Sequence, residues 1–265
     1  MIDGRIQAFP WPYWKEEFAL ARQLDISLIE WTLDQDRLYE NPLMTASGQA
    51  DIQVLCRQHG VNIPSLTGDC FMQAPFWKSQ GEENRRRKQD FRSVLEACIQ
   101  VGISMVVVPL VDNGRIENPA QEQALVEFLE ELMPFLSSHR LKILFESDLG
   151  PTELSIFIDL FDSTLFGINY DTGNSAAIGF DPIEEIKTYG RRVLNVHVKD
   201  RVLGGTTVPL GSGDADFDST FDALGRIGYH GNYVLQTARA VDDDHVGAVR
   251  AYQEMTSKWM IYHGS

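Results

Sequence analysis

Short apolar stretches alternate with longer amphipathic stretches along the whole chain. Met105–Pro109 and Val193–Val198 are rich in valine, a residue that is favoured in buried strands. Arg86–Gln100 and Pro119–Ser137 instead carry apolar residues at the three- and four-residue spacing of one helix face. The pattern therefore predicts strands that are each followed by a helix.

The same alternation predicts eight strand–helix units. At one predicted helix start, Asp181 is followed by a proline, which is the order expected at a helix N-terminus. The predicted strands are Arg5–Phe9, Ser27–Trp31, Val61–Leu66, Met105–Pro109, Lys142–Phe145, Phe166–Tyr170, Val193–Val198 and Asn232–Leu235. The predicted helices are Lys15–Leu24, Gly48–His59, Arg86–Gln100, Pro119–Ser137, Thr152–Phe161, Ile183–Tyr189, Asp218–Ile227 and Asp243–Tyr262.

Alternating strands and helices indicate an α/β protein with a parallel sheet. Eight units within 265 residues match the size of a (β/α)₈ TIM barrel, and no linker or change of composition divides the chain. We therefore expect one domain over residues 1–265. A doubly wound open sheet is the alternative, but Phe9-Pro10-Trp11-Pro12 stands where its glycine-rich nucleotide loop is expected.

Charge and composition narrow the possible partners. The formal net charge is −15 and the isoelectric point is near 4.7, so we expect neither nucleic acid nor an anionic membrane surface to bind. No stretch approaches the length of uninterrupted apolar residues that a membrane span requires. Three cysteines without paired spacing and the absence of a secretory signal pattern predict a cytoplasmic protein.

Polar residues occur at the carboxyl ends of the last four predicted strands, where TIM barrels carry their active sites. Because strand side chains alternate between two faces, His197 shares its face with Lys199, and the two valines beside it point outward. By the same rule Asp171 points inward. Glu146 and Gln236 follow the fifth and eighth strands.

Two carboxylates, an imidazole and an amide oxygen are ligands that Mn²⁺, Mg²⁺, Co²⁺ or Zn²⁺ accepts, with positions left open for substrate oxygens. Such a metal polarises a carbonyl and stabilises the enediolate that forms when a neighbouring carbon loses its proton. A carboxylate beside it can act as general base and acid. The sequence predicts a metal site of Glu146, Asp171, His197 and Gln236, with Glu146 as the base.

Each of these residues also has a structural explanation when it is taken singly. A lone histidine on a strand is more often a core residue than a ligand. Asp171, followed by Thr172-Gly173-Asn174, is compatible with a simple turn. The occurrence of all four polar residues on consecutive strand ends is what favours the metal site.

Several motifs resemble the xylose isomerase-like TIM barrels, a family that includes sugar and sugar-phosphate isomerases and epimerases. The motifs cover essentially the whole chain, and none is specific alone. They are Leu28-Ile29-Glu30, Phe145-Glu146, Asp171-Thr172-Gly173-Asn174, His197-Val198-Lys199-Asp200, Pro209-Leu210-Gly211-Ser212-Gly213-Asp214 and Gly228-Tyr229-His230-Gly231.

The resemblance implies a divalent metal at the ends of the last four strands. In the epimerase branch, glutamates on strands 5 and 8 both ligate the metal and act as bases on opposite faces of the substrate. Here Gln236 replaces the second glutamate, and an amide can ligate but cannot accept the catalytic proton. Asn174 stands where many relatives have a histidine, which leaves Lys199 or Asp69 as candidates for a second acid–base group.

We therefore expect a sugar, a polyol or a small hydroxycarbonyl compound as substrate. Aromatic residues in the loops after the first three strands would cover one side of the pocket, unless they only pack those loops onto helices. A homo-oligomer is possible, but no stretch marks an interface. Glu146 and Lys199 are the predicted catalytic residues, and the predicted substrate-binding residues are Trp11, Glu30, Asp69, Asn174 and Arg201.

Three functions remain open from the sequence. The first is a metal-dependent isomerase or epimerase that acts through an enediolate. The second is a cyclitol or dehydroshikimate-type dehydratase on the same scaffold. The third is a non-catalytic sugar-binding relative that has lost the strand-8 glutamate.

Overall fold

The structure, a computed structural model, describes residues 8–240 and 244–264. The described helices are α1 (Glu16–Gln23), α2 (Ala46–His59), α3 (Asp69–Gln73), α4 (Gly81–Val101), α5 (Pro119–His139), α6 (Pro151–Ile158), α7 (Thr172–Ile178), α8 (Pro182–Tyr189), α9 (Phe217–Arg226) and α10 (His245–His263). The described strands are β1 (Trp31–Thr32), β2 (Ser65–Thr67), β3 (Met105–Leu110), β4 (Lys142–Ser147), β5 (Phe166–Asp171), β6 (Val193–Val198), β7 (Asp200–Arg201), β8 (Thr207–Val208) and β9 (Asn232–Leu235).

Helix starts follow the capping rules that the sequence indicates. Asp181 accepts a hydrogen bond from the backbone N–H of Ile183 at 2.8 Å, ahead of the proline that begins α8. Asn118 caps α5 in the same way, with a proline at the first turn. These local signals explain why both helices begin within a residue of the predicted position.

Seven strands form one sheet in the order β1-β2-β3-β4-β5-β6-β9, and β7 and β8 form a separate antiparallel pair. The pairs β1–β2, β2–β3, β3–β4, β5–β6 and β6–β9 are parallel, as expected for strands joined by helices. The start of the predicted strand Arg5–Phe9 and the first residue of the predicted helix Asp243–Tyr262 lie outside the described residues.

The described chain divides into two compact units. The N-terminal unit comprises Ala8–Ser147 with Thr164–Phe166. Its core includes the buried rings of Phe76, Phe91 and Phe128, whose centroids lie 4.6 to 5.8 Å apart. Full burial of one such ring is worth about 1.5–3 kcal/mol, so this cluster anchors α4 and α5.

The C-terminal unit comprises Asp148–Ser163 and the described residues from Gly167 onward. Its core packs α9 against α10 and β9. The ring of Phe217 stacks on Trp259 with centroids 4.3 Å apart, and Phe221 stacks on Tyr233 at 5.0 Å. Among the described residues, no helix combines the length and the apolar character needed to cross a membrane.

Several elements differ from the sequence prediction: α3, α7 and the β7–β8 hairpin were not predicted, and the strand expected at Ser27–Trp31 is observed at Trp31–Thr32. Thr172-Gly173-Asn174, which is compatible with a turn in the sequence, forms the first residues of α7. Asp200 begins an unpredicted hairpin of β7 and β8. α7 has seven residues, too few for helical periodicity to identify. Burial and the cap at Asp171 stabilise it instead.

Candidate metal centre

Asp171 ends β5 and caps α7. Its Oδ1 accepts a hydrogen bond from the backbone N–H of Asn174 at 2.8 Å, and its side chain is almost fully buried. The other carboxylate oxygen, Oδ2, takes no part in this cap and faces His197 and Lys199 instead. The strand therefore delivers a buried acceptor whose orientation is set by the helix that follows it.

His197 lies beside Asp171 because the two residues are register partners in the β5–β6 ladder. The imidazole is fully buried, and its Nδ1 lies 3.9 Å from Asp171 Oδ2. Asn169 Nδ2 lies 3.1 Å from the same Nδ1, and Asn195 Nδ2 donates to Asn169 Oδ1 at 2.8 Å. This chain of side chains on two neighbouring strands holds the ring in one orientation.

Glu146 is buried near the end of β4 in the N-terminal unit, 7% exposed. Glu146, Asp171 and His197 each offer one ligand atom, and these atoms lie within 4.8 Å of one another. Two carboxylate oxygens and one imidazole nitrogen are a donor set that suits a borderline or hard divalent cation. The three residues are therefore a candidate metal centre.

Gln236, the fourth predicted ligand, follows β9, and its side chain contacts a lysine. Its Oε1 accepts a hydrogen bond from Lys199 Nζ at 2.9 Å. The same ammonium lies 3.3 Å from Asp171 Oδ2, and the Lys199 side chain is 13% exposed. Lys199 thus bridges one member of the metal centre to the amide that stands at the strand-8 position.

The neighbouring Asp200 does not serve as the partner of this lysine, although the sequence permits that pairing. Its fully buried carboxylate accepts backbone N–H groups from Gly211 and Gly213 at 2.8 Å and from Ala215 at 3.1 Å. Asp200 therefore organises the loop before α9. Because successive residues of an extended segment point to opposite sides, this loop contact leaves Lys199 facing Asp171.

Thr172 is a positioning residue that the sequence analysis did not identify. Its Oγ1 donates to the carbonyl oxygen of Lys199 at 2.6 Å and accepts from the backbone N–H of Lys199 at 2.9 Å. Both backbone groups of the lysine are thereby fixed. Nothing in the sequence around Thr172 indicates that it fixes the backbone of Lys199, because the two residues lie 27 positions apart.

Asn174 and Arg201, two of the predicted substrate-binding residues, contact each other. Arg201 Nη1 donates to Asn174 Oδ1 at 2.8 Å, and the guanidinium also donates to the carbonyl of Gly205. The remaining predicted residues, Trp11, Glu30 and Asp69, belong to the N-terminal unit.

Glu30 accepts hydrogen bonds from Ser65 Oγ, at 2.6 Å, and from Thr67 Oγ1. Trp11 lies under the Arg37 guanidinium, 3.9 Å from the ring centroid, and Asp69 begins α3. The assignment of Trp11, Glu30 and Asp69 as substrate-binding residues stays a prediction.

The other loop aromatics that we expected over the pocket belong to the core. Trp31, Phe71, Phe76 and Trp77 are all at least 94% buried. Phe76 packs edge-on against Trp77, and Phe71 against Phe91. For these four residues, packing is the better explanation.

Lys199→Met is expected to tighten the binding of Mn²⁺ several-fold. The ammonium neutralises Asp171, so a cation bound there must compete with it. Titration calorimetry of Mn²⁺ into both proteins measures the difference. Lys187→Met, on the exposed side of α8, removes the same charge and serves as control. Unchanged or weaker binding by Lys199→Met would show that the lysine does not oppose the metal.

The buried carboxyl group of Glu185 is the centre of a hydrogen-bond network that connects α7 and α8. Tyr170 and Tyr189 donate to the two carboxylate oxygens of Glu185 at 2.9 and 2.7 Å, and Ser175 also donates to it. Burial raises the pKa of Glu185 in spite of these donors. The network holds α7, and therefore Asn174, against α8.

Glu185→Gln is expected to flatten the pH dependence of stability. With a raised folded-state pKa, Glu185 contributes stability that is fully present below about pH 4.5 and is lost as pH rises through the folded pKa. Each unit of elevation is worth about 1.4 kcal/mol. Urea unfolding from acid to neutral pH should show wild-type stability falling relative to the variant. The exposed neighbour variant, Glu184→Gln, should follow the wild type.

Comparison with known proteins adds a family context to this site. A family model described as xylose isomerase-like TIM barrel matches residues 18–257. The L-ribulose-5-phosphate 3-epimerase UlaE of Escherichia coli O1:K1 is 24% identical over 245 residues, which cover 89% of this chain and 86% of that protein. The family match confirms the predicted (β/α)₈ TIM-barrel class and the resemblance that the motifs indicated.

Solved structures agree on the fold. A xylose isomerase domain protein from Planctomyces limnophilus superposes with a TM-score of 0.76 at 17% identity and covers 93% of each chain. The IolI protein, solved with a bound zinc atom, superposes with a TM-score of 0.74 at 19% identity, covering 92% of this chain and 93% of its own.

Proposed function

Because the chain belongs to the xylose isomerase-like TIM barrel family, and its matched curated relatives are sugar epimerases, we propose that this epimerase-like enzyme is a divalent-metal-dependent isomerase. Its substrate is a sugar or a small hydroxycarbonyl compound, and the reaction passes through an enediolate. The observation that carries the proposal is the buried group of Glu146, Asp171 and His197.

A divalent cation held by these three residues would polarise the substrate carbonyl and stabilise the enediolate. Glu146 takes the proton from the carbon next to the carbonyl and returns it to the former carbonyl carbon, while the hydroxyl proton passes to the former carbonyl oxygen, so that the hydroxyl and the carbonyl exchange places. The Asn174 N–H orients the Asp171 carboxylate, and the Asn169–Asn195 pair orients the His197 ring. The chain therefore contributes one base and a fixed set of ligands.

The amide at Gln236 favours one-base isomerisation over two-base epimerisation. Its amide cannot take a proton from the opposite face of the substrate, and its oxygen already accepts a hydrogen bond from Lys199. Isomerisation needs one base that moves a proton between two adjacent carbons on one face, besides the transfer of the hydroxyl proton between the two oxygens, so Glu146 suffices as the base at carbon. Lys199 can donate a hydrogen bond to a substrate oxygen from the same position.

Deuterium exchange tests the proposal. The protein is incubated in D₂O with Mn²⁺ and, in turn, L-ribulose, L-ribulose 5-phosphate and D-tagatose, and proton spectra are followed. We expect deuterium at the carbon next to the carbonyl, together with an isomeric product. Absence of Mn²⁺ binding at micromolar concentration would overturn the metal-dependent function.

The two alternatives give different results in the same experiment. A dehydratase would produce an alkene-conjugated carbonyl with ultraviolet absorbance, because elimination of water leaves that group. A non-catalytic sugar-binding relative would bind the sugar without exchange. The experiment therefore distinguishes all three functions on one sample.

Gln236→Glu is expected to raise the share of epimerised product. The substitution places a carboxylate where a second base is missing, and a general base typically contributes about 10²-fold or more. The new carboxylate would also pair with Lys199, whose ammonium lies 2.9 Å from the present amide oxygen. Chromatography of the product epimers measures the ratio, and an unchanged ratio would mean that residue 236 does not face the reacting carbon.

A further inference from the structure

One arginine joins the turn of the β7–β8 hairpin to the first turn of α7. Arg201, the last residue of β7, donates from Nη1 to the side-chain oxygen of Asn174 at 2.8 Å. Its Nε and Nη2 both donate to the carbonyl oxygen of Gly205, in the hairpin turn, at 3.2 and 2.8 Å. The planar guanidinium therefore holds two chain segments in a fixed arrangement.

Two glycines allow the hairpin to lie directly against α7. The backbone N–H of Gly204 donates to the carbonyl oxygen of Ala177 at 2.8 Å, and its φ of +64° is in the left-handed region that favours glycine. At Gly173, a Cβ atom would lie 2.7 Å from Lys199 Cγ and 3.2 Å from Arg201 Cγ. The hairpin is thus attached to α7 at its first turn and again near its last residue.

Asn174 connects this attachment to the candidate metal centre. Its backbone N–H donates to Asp171 Oδ1 at 2.8 Å, and its side-chain oxygen accepts from Arg201. The cap bond keeps the carboxylate in the orientation in which Oδ2 faces His197 and Lys199. Because a movement of Asn174 would weaken the cap bond, the orientation of Asp171 depends on what holds Asn174 in place.

α7 needs such contacts because it is short. Its seven residues include threonine, glycine, asparagine and serine, which are poor helix formers, and short helices are marginal without tertiary support. The Glu185 network holds the buried side of the helix through Ser175, and Arg201 holds its first turn from the hairpin. The position of Asn174 therefore depends on tertiary contacts, and the bond from Arg201 is one of them.

We propose that Arg201, acting through Asn174, is a positioning residue for Asp171, and that both residues serve the metal ligand instead of binding the substrate. The inference rests on the proposed function, in which Asp171 is a ligand. It revises the sequence prediction that Asn174 and Arg201 bind substrate. Groups that orient a metal ligand typically contribute about 10- to 100-fold to metal affinity. Because Arg201 acts through an intermediate residue, we expect an effect at the lower end of this range.

Amide hydrogen exchange at residue 174, followed by NMR in EDTA-treated protein, measures the cap bond to Asp171 directly. Arg201→Met keeps the stem that packs on Gly173 but removes the donors, and it should speed exchange at residue 174 about tenfold. Asn174→Ala keeps the backbone N–H, removes the acceptor of Arg201 and should have a similar effect. Asn174→Asp retains an acceptor, so its exchange, corrected for the intrinsic rate, should stay as slow as in the wild type.

Calorimetric titration of Mn²⁺ measures the consequence for the metal centre. Arg201→Met and Asn174→Ala should each weaken Mn²⁺ binding about tenfold, and the double variant should lose no more than either single variant, because both changes break the same link. Loss of a nearby positive charge alone would strengthen Mn²⁺ binding, as expected for Lys199→Met. The sign of the change therefore separates positioning from charge. Arg226→Met, on the exposed side of α9, should leave the affinity unchanged.

Sugar binding separates positioning from substrate contact. At saturating Mn²⁺, L-ribulose and L-ribulose 5-phosphate should bind to Arg201→Met within about twofold of their wild-type affinities. Weaker sugar binding with unchanged Mn²⁺ affinity would show that Arg201 contacts the substrate and would overturn the inference. Circular dichroism establishes that each variant is folded.

The outcomes also separate this inference from the proposed function. Unchanged exchange at residue 174 in both single variants, or faster exchange without weaker Mn²⁺ binding, would overturn the inference. A wild-type protein that binds Mn²⁺ and exchanges deuterium into a sugar would leave the proposed function intact in either case. If the wild type does not bind Mn²⁺, the proposed function fails, and exchange at residue 174 still decides whether Arg201 holds the Asp171 cap.

Discussion

Glu146→Gln is expected to slow deuterium exchange into the substrate by about 10³-fold, within the range that a general base contributes. The substitution keeps the shape of the side chain and its ability to ligate but removes the group that accepts the proton. Because Gln236 is already an amide, no strand-8 carboxylate can compensate. The rate of exchange under saturating Mn²⁺ measures the loss.

The metal must be controlled separately, since an amide ligand also binds Mn²⁺ more weakly than a carboxylate. Calorimetry gives the metal affinity of Glu146→Gln, and the exchange rate is then compared only at saturation. Glu184→Gln makes the same change on the exposed side of α8 and should exchange as fast as the wild type. Near wild-type exchange by saturated Glu146→Gln would show that another residue is the base.

Asp171→Asn is expected to weaken Mn²⁺ binding by more than about 100-fold. Changing a residue that only holds a metal ligand in place typically costs about 10- to 100-fold in affinity, so loss of the ligand's charge should cost more. Asparagine caps helices as well as aspartate does, so α7 should keep its N-terminal hydrogen bond. The variant therefore removes the ligand charge and retains the local structure. Calorimetric titration of Mn²⁺ measures the affinity.

Asp181→Asn is the matched control, because Asp181 also caps a helix through its Oδ1, which accepts the backbone N–H of Ile183, but it lies on the exposed surface. Both variants should melt within a few degrees of the wild type, and only Asp171→Asn should lose metal affinity. If the two variants bind Mn²⁺ equally well, Asp171 is a capping residue and the metal centre lies elsewhere.

Local signals explain the parts of the fold that the sequence predicts well. β6 has the predicted bounds, and β3 and β5 exceed theirs by one residue, because strands buried on both faces read as continuous apolar runs. Period-two alternation also predicted that His197 and Lys199 share a side, which the contacts of both with Asp171 confirm. A strong local pattern was sufficient for each of these predictions.

Elements and contacts without a local pattern were missed. α7 contains a glycine and several small polar residues, and tertiary burial stabilises it in place of helix propensity. Glu185 belongs to no recognisable sequence motif. Its carboxylate accepts hydrogen bonds from the hydroxyl groups of Tyr170, Ser175 and Tyr189, which come from different elements. Tyr189 is four residues from Glu185 on the same helix, but Tyr170 and Ser175 lie on other elements, so helix spacing identifies only the first of these partners.

The sequence by itself determined the strand–helix alternation, the residue types at the strand ends and the amide at residue 236. Only the tertiary structure decided that Lys199 bridges Asp171 and Gln236 while Asp200 binds a loop, and that Arg201 has no carboxylate partner among the described residues. Periodicity specifies the side to which a side chain points, because it follows from backbone geometry. Which groups meet there depends on chain segments that folding brings together from far apart in sequence.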